Sequence, residues 1–300
     1  MDKYGLVLEG GGVRGSFTAG ALTWLYDHGV TFDYSVGISS GALYLSLFEL
    51  GRLDAAKDMA CKYAPDPENV GIRALISEGN YVASKHIIRT DILEKSRVDV
   101  TPLIEHDVPM DVGVYDLTQG KTIYFPAREI DPEMELIRAA CSLPVASSVV
   151  DWKGHRLLDG GITKMIPIER ALEEGCTKTL VITTKARDYV RKPANLFVRI
   201  LMKLLYRECP QIEKDYQVRH INYYEQMDLI HKQEEAGNCI LVCPSKNIKV
   251  SRWKGDPEKC QELFDLGYQD MENRKEEILA FMGAEHLDLA RVREKEKVTV

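Results

Sequence analysis

The pentapeptide Gly37-Ile38-Ser39-Ser40-Gly41 narrows what this chain can become more than any other stretch, because of what lies on either side of it. Phe32 to Val36 before it is strand-like, and Ala42, Leu43, Leu45, Leu47 and Phe48 after it make an apolar helix that Gly51 stops. A strand that turns directly into a helix needs a sharp bend, and glycines on both flanks leave room for one. The segment upstream repeats the plan. Tyr4 to Leu8 is a short apolar run closed by glycines, and Ser16 to His28 carries Phe17, Ala21, Leu22, Trp24 and Leu25 near helical spacing before Gly29.

Further along, Val112 to Leu117 and Thr122 to Phe125 predict two strands around a Gln119-Gly120 turn, and Val149 to Trp152 and His155 to Leu158 flank Lys153-Gly154. Residues 52–105 are charged and mainly helical; helices are expected from Asp131-Pro132 to about Cys141 and from Pro167 to Glu174, and a strand from Leu180 to Thr183. Beyond residue 185 the sequence turns charged and helix-rich, with strand-like Cys239 to Cys243, a long helix from Asp256-Pro257 toward Met282, and a frayed, charge-rich end from Arg291 to Val300. Strands alternating with helices imply an α/β chain whose mostly parallel sheet is covered on both faces. The expected division is a core over residues 5–184 and a helix-rich C-terminal extension over residues 185–300 packed on it.

A serine on a sharp strand-to-helix turn presents its hydroxyl clear of its neighbours, and the helix N-terminus behind it favours negative charge. The same pattern also occurs as a plain turn, so the strand before Ser39 and the helix after it carry the weight. At the end of the first strand, Gly10-Gly11-Gly12-Val13-Arg14-Gly15 lets backbone N–H groups approach a ligand oxygen closely, as an oxyanion hole requires. In a parallel sheet this loop and the serine turn share one edge. Two other readings of the loop compete. Gly10, Gly12 and Gly15 fit a dinucleotide fingerprint, but Ser39 stands where an acidic residue should follow the second strand; they also fit a phosphate loop, but Ser16-Phe17 replaces the lysine and hydroxyl pair. Asp159-Gly160-Gly161 is an ordinary turn by composition. Beside a serine in need of a base, its carboxylate becomes a candidate partner.

In order and together, these three motifs resemble the patatin-like phospholipases, whose pattern is a G-G-G-x-R/K-G loop, a G-x-S-x-G elbow and a D-G-G/A triplet. The likeness extends to Ser40-Gly41-Ala42-Leu43 and to Arg138-Ala139-Ala140-Cys141-Ser142-Leu143-Pro144, covering roughly residues 5–184, with a weaker similarity to bacterial members around Asp265-Leu266-Gly267-Tyr268. It implies a three-layer α/β/α sandwich and a Ser-Asp dyad without a catalytic histidine. Ser39 would be the nucleophile, Asp159 the proton acceptor, and the amides of Gly11, Gly12 and Val13 the oxyanion hole, supported by Gly10, Arg14, Gly15, Gly37, Gly41, Gly160 and Gly161. The implied reaction is hydrolysis of fatty-acyl esters of phospholipids or related lipids, with no metal or cofactor. Desolvation is expected to raise the aspartate from its usual ~3.9 toward neutrality, which suits it to act as a base. Glu9 stands where members often have a small residue or aspartate, and Val145-Ala146-Ser147-Ser148 lacks the aromatic residue often found after the proline.

Composition limits the remaining classes. A net charge of −7 argues against a nucleic-acid binder, and seven irregularly spaced cysteines read as reduced thiols. Cys239-x-x-x-Cys243 lacks a second ligand pair, so it reads as two strand thiols. The start Met1 to Leu8 reaches Glu9 before any long apolar core, and no apolar run approaches 18 residues, so a cytoplasmic protein is expected, with peripheral membrane contact as one reading of the basic helix from Leu196 to Arg207. His220, His231 and His286 follow Asp159 without flanking motifs and read as surface or packing residues, and His155 lies too close in sequence to serve as an independent partner. Arg14 either braces the glycine loop or contacts a lipid phosphate. From Leu196 to Arg207, Leu196, Phe197, Ile200, Leu201, Leu204 and Leu205 form one face while Arg199, Lys203 and Arg207 line another. Such a helix either packs on the core or lies on an anionic membrane, or acts as a lid. Against the hydrolase stand two other readings: a lipid-binding regulator of the same fold with little turnover, and a nucleotide-binding protein using the glycine loop. The acyl lipid is the expected partner; the oligomeric state is not encoded in these patterns.

Overall fold

A computed structural model of the chain describes residues 2–250, 256–288 and 290; the charged end from Arg291 to Val300 lies outside them. Eight strands form one sheet: β1 (Tyr4–Leu8), β2 (Tyr34–Ile38), β3 (Met110–Asp116), β4 (Lys121–Pro126), β5 (Val150–Trp152), β6 (His155–Asp159), β7 (Lys178–Ile182) and β8 (Cys239–Val242). Their order is β5-β6-β3-β2-β1-β7-β8, with β4 also paired to β3. The stretch β3-β2-β1-β7-β8 is parallel throughout, whereas β4 and β6 run antiparallel to β3.

Side-chain alternation shows why the sheet sits in the middle. Leu6 and Leu8, Leu180 and Ile182, and Ile240 and Val242 enter one apolar core, while Val7, Val181 and Leu241 between them enter a second. Strands buried on both faces carry apolar residues at every position, which is why β1 reads as an unbroken run. The first face carries α1 (Gly15–Asp27), α2 (Ser40–Glu49) and, from the far end of the sequence, α11 (Pro257–Asn273). On the second lie α8 (Ile168–Glu173) and α10 (Gln211–Glu235). This is the expected three-layer α/β/α sandwich. The C-terminal region supplies an edge strand, β8, as well as helices. Its α11 crosses α1 so closely that a side chain at Gly267 would sit 2.1 Å from the Phe17 carbonyl oxygen.

Between β2 and β3 the chain passes through α3 (Leu53–Asp58), α4 (Ile72–Glu78), α5 (Ser84–His86) and α6 (Thr101–Glu105), with π-helical stretches at Met59–Tyr63 and Ile87–Lys95. Then follow α7 (Glu135–Ala140), α9 (Leu196–Leu205) and α12 (Lys275–Met282). No helix among the described residues is long and apolar enough to cross a membrane.

Three boundaries differ from the sequence reading for identifiable reasons. Strand β2 begins at Tyr34 and continues through Gly37, because Asp33 is drawn off to accept a hydrogen bond from the Tyr4 amide at 2.7 Å. Helix α7 starts four residues after Asp131, whose carboxylate instead accepts from the amides of Glu133, Glu135 and Leu136 and from the Trp152 indole. The long last helix does open at Asp256-Pro257, with the Asp256 side chain capping it, but breaks at Arg274, whose guanidinium reaches the Leu241 carbonyl of β8 at 2.7 Å.

Candidate active site

Sheet register brings the three motifs together. Leu8 pairs with Gly37 and Ile38 with Gly113, so the next rung carries Gly10, Ser39 and Val114 side by side, and Val114 in turn pairs with Asp159. The glycine loop and the serine turn meet at the carboxyl ends of parallel strands, as expected. Asp159 arrives by a different route. Its strand runs the other way, and it reaches the same level because β3 extends past β2 and carries β6 on that extension.

Ser39 adopts φ 56° and ψ −131°, a backbone conformation that L-residues occupy only under constraint, at roughly 1–3 kcal/mol. The constraint is the tight approach of β1, β2 and α2. A side chain at Gly37 would lie 2.6 Å from the Ala42 amide nitrogen, and one at Gly41 would lie 2.8 Å from the Leu8 carbonyl oxygen. The bend leaves Ser39 only 7% exposed at the N-terminus of α2, where its carbonyl accepts from Ala42 and Leu43. Asp159 is 2% exposed, and one of its carboxylate oxygens accepts from the Gly161 amide at 2.7 Å. Gly160 and Gly161 form the short 3-10 turn that follows it.

Ser39 and Asp159 line one cavity together with Gly10, Gly11, Gly12, Arg14, Leu143, Gly161, Met165, Lys185, Arg191 and Arg219. From Ser39 a second hollow, about 590 Å³ counting its open mouth, runs the other way between Val13, Leu43, Tyr44, Met59, Val82, Ile87 and Leu143. Its walls are nearly all apolar, like the predominantly hydrophobic lining of ligand pockets. Both π-helical stretches contribute to it through Met59 and Ile87.

The glycine loop divides its amides between two tasks. Gly11 donates to the Ser40 hydroxyl at 3.0 Å and so ties the loop to the elbow, while the amides of Gly12 and Val13 meet no acceptor among the described residues. Of the three amides expected to face an oxyanion, Gly11 is therefore already engaged by the neighbouring side chain. Gly10 donates to the Met165 carbonyl, and Gly15 begins α1 against Tyr44 and Ser40. Arg14 does not brace the loop: its guanidinium finds no hydrogen-bond partner among the described residues, and it lines the cavity instead. No histidine lines the cavity among the described residues. His155 bonds Asp116 at 2.8 Å, and His286 lies against Tyr4 and Asp33.

Sequence motifs gave no hint of Lys185 or Arg219, and Arg191 stood out only as part of a basic run. Lys185 forms a buried ion pair with Glu9, whose other oxygen accepts from the Thr184 amide at 2.6 Å and hydroxyl at 2.9 Å. Burial pushes the Glu9 carboxyl up, but the Lys185 ammonium and the Thr184 donors outweigh it and hold Glu9 below the usual carboxylate range. Glu9 immediately precedes the glycine loop, so this pair anchors the loop to the strand end of β7. Arg219, on α10, donates to the Gly161 carbonyl at 2.5 Å and lies over the Tyr216 ring.

A mixed, mostly parallel α/β sheet with a strained serine elbow after β2, a facing glycine loop after β1 and a buried aspartate at the end of β6 defines a recognisable class of protein. The family model for patatin-like phospholipases matches residues 6–172, and the chain belongs to that family. A domain of unknown function (DUF6363) matches residues 209–283. The uncharacterized protein YjjU of Escherichia coli (strain K12) is 30% identical over 196 residues, 61% of this chain and 52% of that protein. The uncharacterized NTE family protein Rv1063c of Mycobacterium tuberculosis (strain ATCC 25618 / H37Rv) is 27% identical over 169 residues, 55% of this chain and 44% of that one. The chain thus spans about half the length of the curated relatives it matches. Among solved structures, VipD from Legionella pneumophila superposes with a TM-score of 0.49 at 14% identity, covering 91% of this chain and 66% of that one.

Removing one member of the buried pair under the glycine loop should be far worse than removing both. Lys185→Met is expected to lower unfolding stability at neutral pH by about 3–5 kcal/mol, because it leaves the Glu9 charge without its partner. The double variant Glu9→Gln, Lys185→Met should regain most of that. Glu9 titrates below its unfolded value, so the wild-type pair contributes fully near neutrality and its contribution is lost as the pH falls through that depressed value. Urea unfolding of the three proteins between neutral and acid pH measures this, and equal midpoints at neutral pH would contradict it.

Proposed function

We propose that this protein is a serine acyl hydrolase that cleaves fatty-acyl esters of phospholipids or related lipids. The observation that carries the reading is the strained, buried Ser39 sharing a cavity wall with Asp159 at the mouth of an apolar hollow. The hollow suits an acyl chain and brings its ester carbonyl to Ser39. Attack by the Ser39 hydroxyl passes its proton to Asp159 and places negative charge on the carbonyl oxygen. The amides of Gly12 and Val13 and the N-terminus of α2 meet that charge; one such donor is typically worth about 3 kcal/mol. Collapse releases the alcohol, which takes the proton from Asp159 and leaves an acyl-Ser39 ester. Water then attacks, Asp159 accepts its proton, and the fatty acid departs as the proton returns to Ser39.

Lipid substrates sit in membranes, and the molecule has a surface suited to meeting one. On α9, Arg199 turns inward to Glu213 and Gln217 of α10, while Leu196, Phe197, Ile200 and Leu204 face out, Phe197 being 67% exposed. The apolar face of this helix is thus its outer one, bordered by exposed Lys192, Lys203 and Arg207. Helix α4 likewise turns out Ile72, Leu75 and Ile76. Both flank the segment from Leu143 to Ser147, whose first residue, Leu143, lines the cavity: the Val145 amide donates to the Tyr206 hydroxyl just past α9, and the Ala146 carbonyl accepts from the Val82 amide in the hairpin bearing α4. Apolar side chains ringed by basic ones fit the surface of an anionic bilayer.

A panel of acyl esters and phospholipids assayed with three proteins tests the chemistry. Wild type should release fatty acid, Ser39→Ala should release none, and Asp159→Asn should be slower by roughly three to four orders of magnitude with its circular dichroism unchanged. Turnover that persists in Ser39→Ala would remove that serine from the mechanism. Co-sedimentation with phosphatidylglycerol-containing vesicles tests the surface. Replacing Ile200 and Leu204 by Asp should weaken binding by about tenfold or more, and undiminished binding would show that α9 does not face the lipid.

A further inference from the structure

Between Asp159 and α8 the chain runs through residues 160–166 with no strand pairing and only the short 3-10 turn at its start. Gly161, Ile162, Met165 and Ile166 in this loop are buried, so its backbone groups need partners from elsewhere in the protein. Those partners come from α10. Arg219 donates to the Gly161 carbonyl at 2.5 Å, and Asn222 and Gln226 donate to the Thr163 carbonyl at 3.3 and 3.2 Å. The side-chain oxygen of Gln226, a residue only 1% exposed, accepts in turn from the amides of Met165 and Ile166, both at 3.1 Å. Positions 219, 222 and 226 fall on one face of a helix. Five hydrogen bonds from three side chains therefore tie one loop to one helix.

The loop in turn touches two parts of the candidate site. A side-chain carbon at Gly161 would sit 2.9 Å from an Asp159 carboxylate oxygen and 3.4 Å from an Arg219 nitrogen, so carboxylate and guanidinium close on the same turn. Further on, Met165, whose amide Gln226 holds, uses its carbonyl to accept from the Gly10 amide at 3.1 Å. All three α10 side chains lie in the segment 209–283 matched by the domain of unknown function, outside the patatin-like match. We infer that this helix is a strut that sets Asp159 and the glycine loop against Ser39, with Arg219 and Gln226 as positioning residues. The inference rests on the hydrolase reading for its kinetic consequence and adds to it a task for the C-terminal domain. A base or an oxyanion donor misplaced by about 1 Å costs on the order of a hundredfold in rate. Such groups act chiefly in the transition state, so loosening them lowers kcat and spares KM.

Steady-state hydrolysis of 4-nitrophenyl octanoate by the full-length chain tests the strut. Gln226→Met, similar in length but without the amide's hydrogen bonds, and Arg219→Gln should each lower kcat by about tenfold to a hundredfold. KM should stay within about twofold of wild type in both. Arg219→Lys keeps a charge and a donor and should recover part of the loss. Arg219 is only half-buried, so its variants keep the test open should Gln226→Met fail to fold. Ile230→Ala, one turn beyond Gln226 and fully buried, weakens α10 through packing with every hydrogen bond to the loop in place. It should lower the melting temperature and leave kcat intact. A kcat that survives in both Gln226→Met and Arg219→Gln, or is lost equally in Ile230→Ala, would overturn the inference and leave the hydrolase reading standing. If wild type turns over no ester, that reading fails, and amide hydrogen exchange then judges the strut. Gln226→Met should speed exchange in the peptide carrying Gly10 as well as in the one carrying Met165. Unchanged protection of the Gly10 peptide overturns the inference.

Discussion

The close approach of three elements, the first two strands and the helix that follows the second, governs everything at the site. Where they meet there is no space for a side chain at Gly37 or Gly41, and the chain clears the obstruction only by turning Ser39 to a positive φ. Such a turn is unfavourable in isolation and persists only when its surroundings over-determine it. Here they do. Leu8, Ile38, Leu43, Leu45 and Leu47 are all fully or almost fully buried around it, so relaxing the turn would mean pulling a helix out of the core. The strained backbone of Ser39 is thus a consequence of how the sheet is covered.

Around that fixed point the loop and the carboxylate are held by polar contacts rather than by strain. Gly11 is tied to Ser40, Glu9 to Lys185 and Thr184, and the Asp159 turn to Arg219. Two of these tethers end on residues beyond the family's matched segment, Lys185 after β7 and Arg219 on α10. The C-terminal region is therefore built into the site. It supplies the edge strand β8, the helix α11 that crosses α1, and three of the four cationic side chains that line the cavity.

Much of this was legible in the sequence because it depends on backbone. Glycine spacing at Gly10 to Gly15 and Gly37 to Gly41 reports where the main chain bends or touches itself, and the apolar runs report which strands are covered on both faces. The direction of β6 was not legible: a strand of five residues between turns carries no mark of parallel or antiparallel pairing, and only the register shows that Asp159 lies level with Ser39. Long-range side-chain partners were also silent. Nothing near Lys185 or Arg219 in sequence announces Glu9 or Gly161, which lie 176 and 58 residues away. The amphipathic pattern of Leu196 to Leu205 was plain, but which face meets the protein was decided by Arg199 finding Glu213.

The proposed chemistry requires Ser39 to be an activated nucleophile. Fluorophosphonates react covalently with serines held in that state, so the most direct measurement is peptide mapping by mass spectrometry of the protein after exposure to such a reagent. The expected result is a single adduct on the peptide containing Ser39, absent when Asp159 is replaced by Asn or when the folded state is lost in denaturant. An unmodified Ser39 peptide, or an equal adduct on another serine in the Ser39→Ala protein, would contradict it.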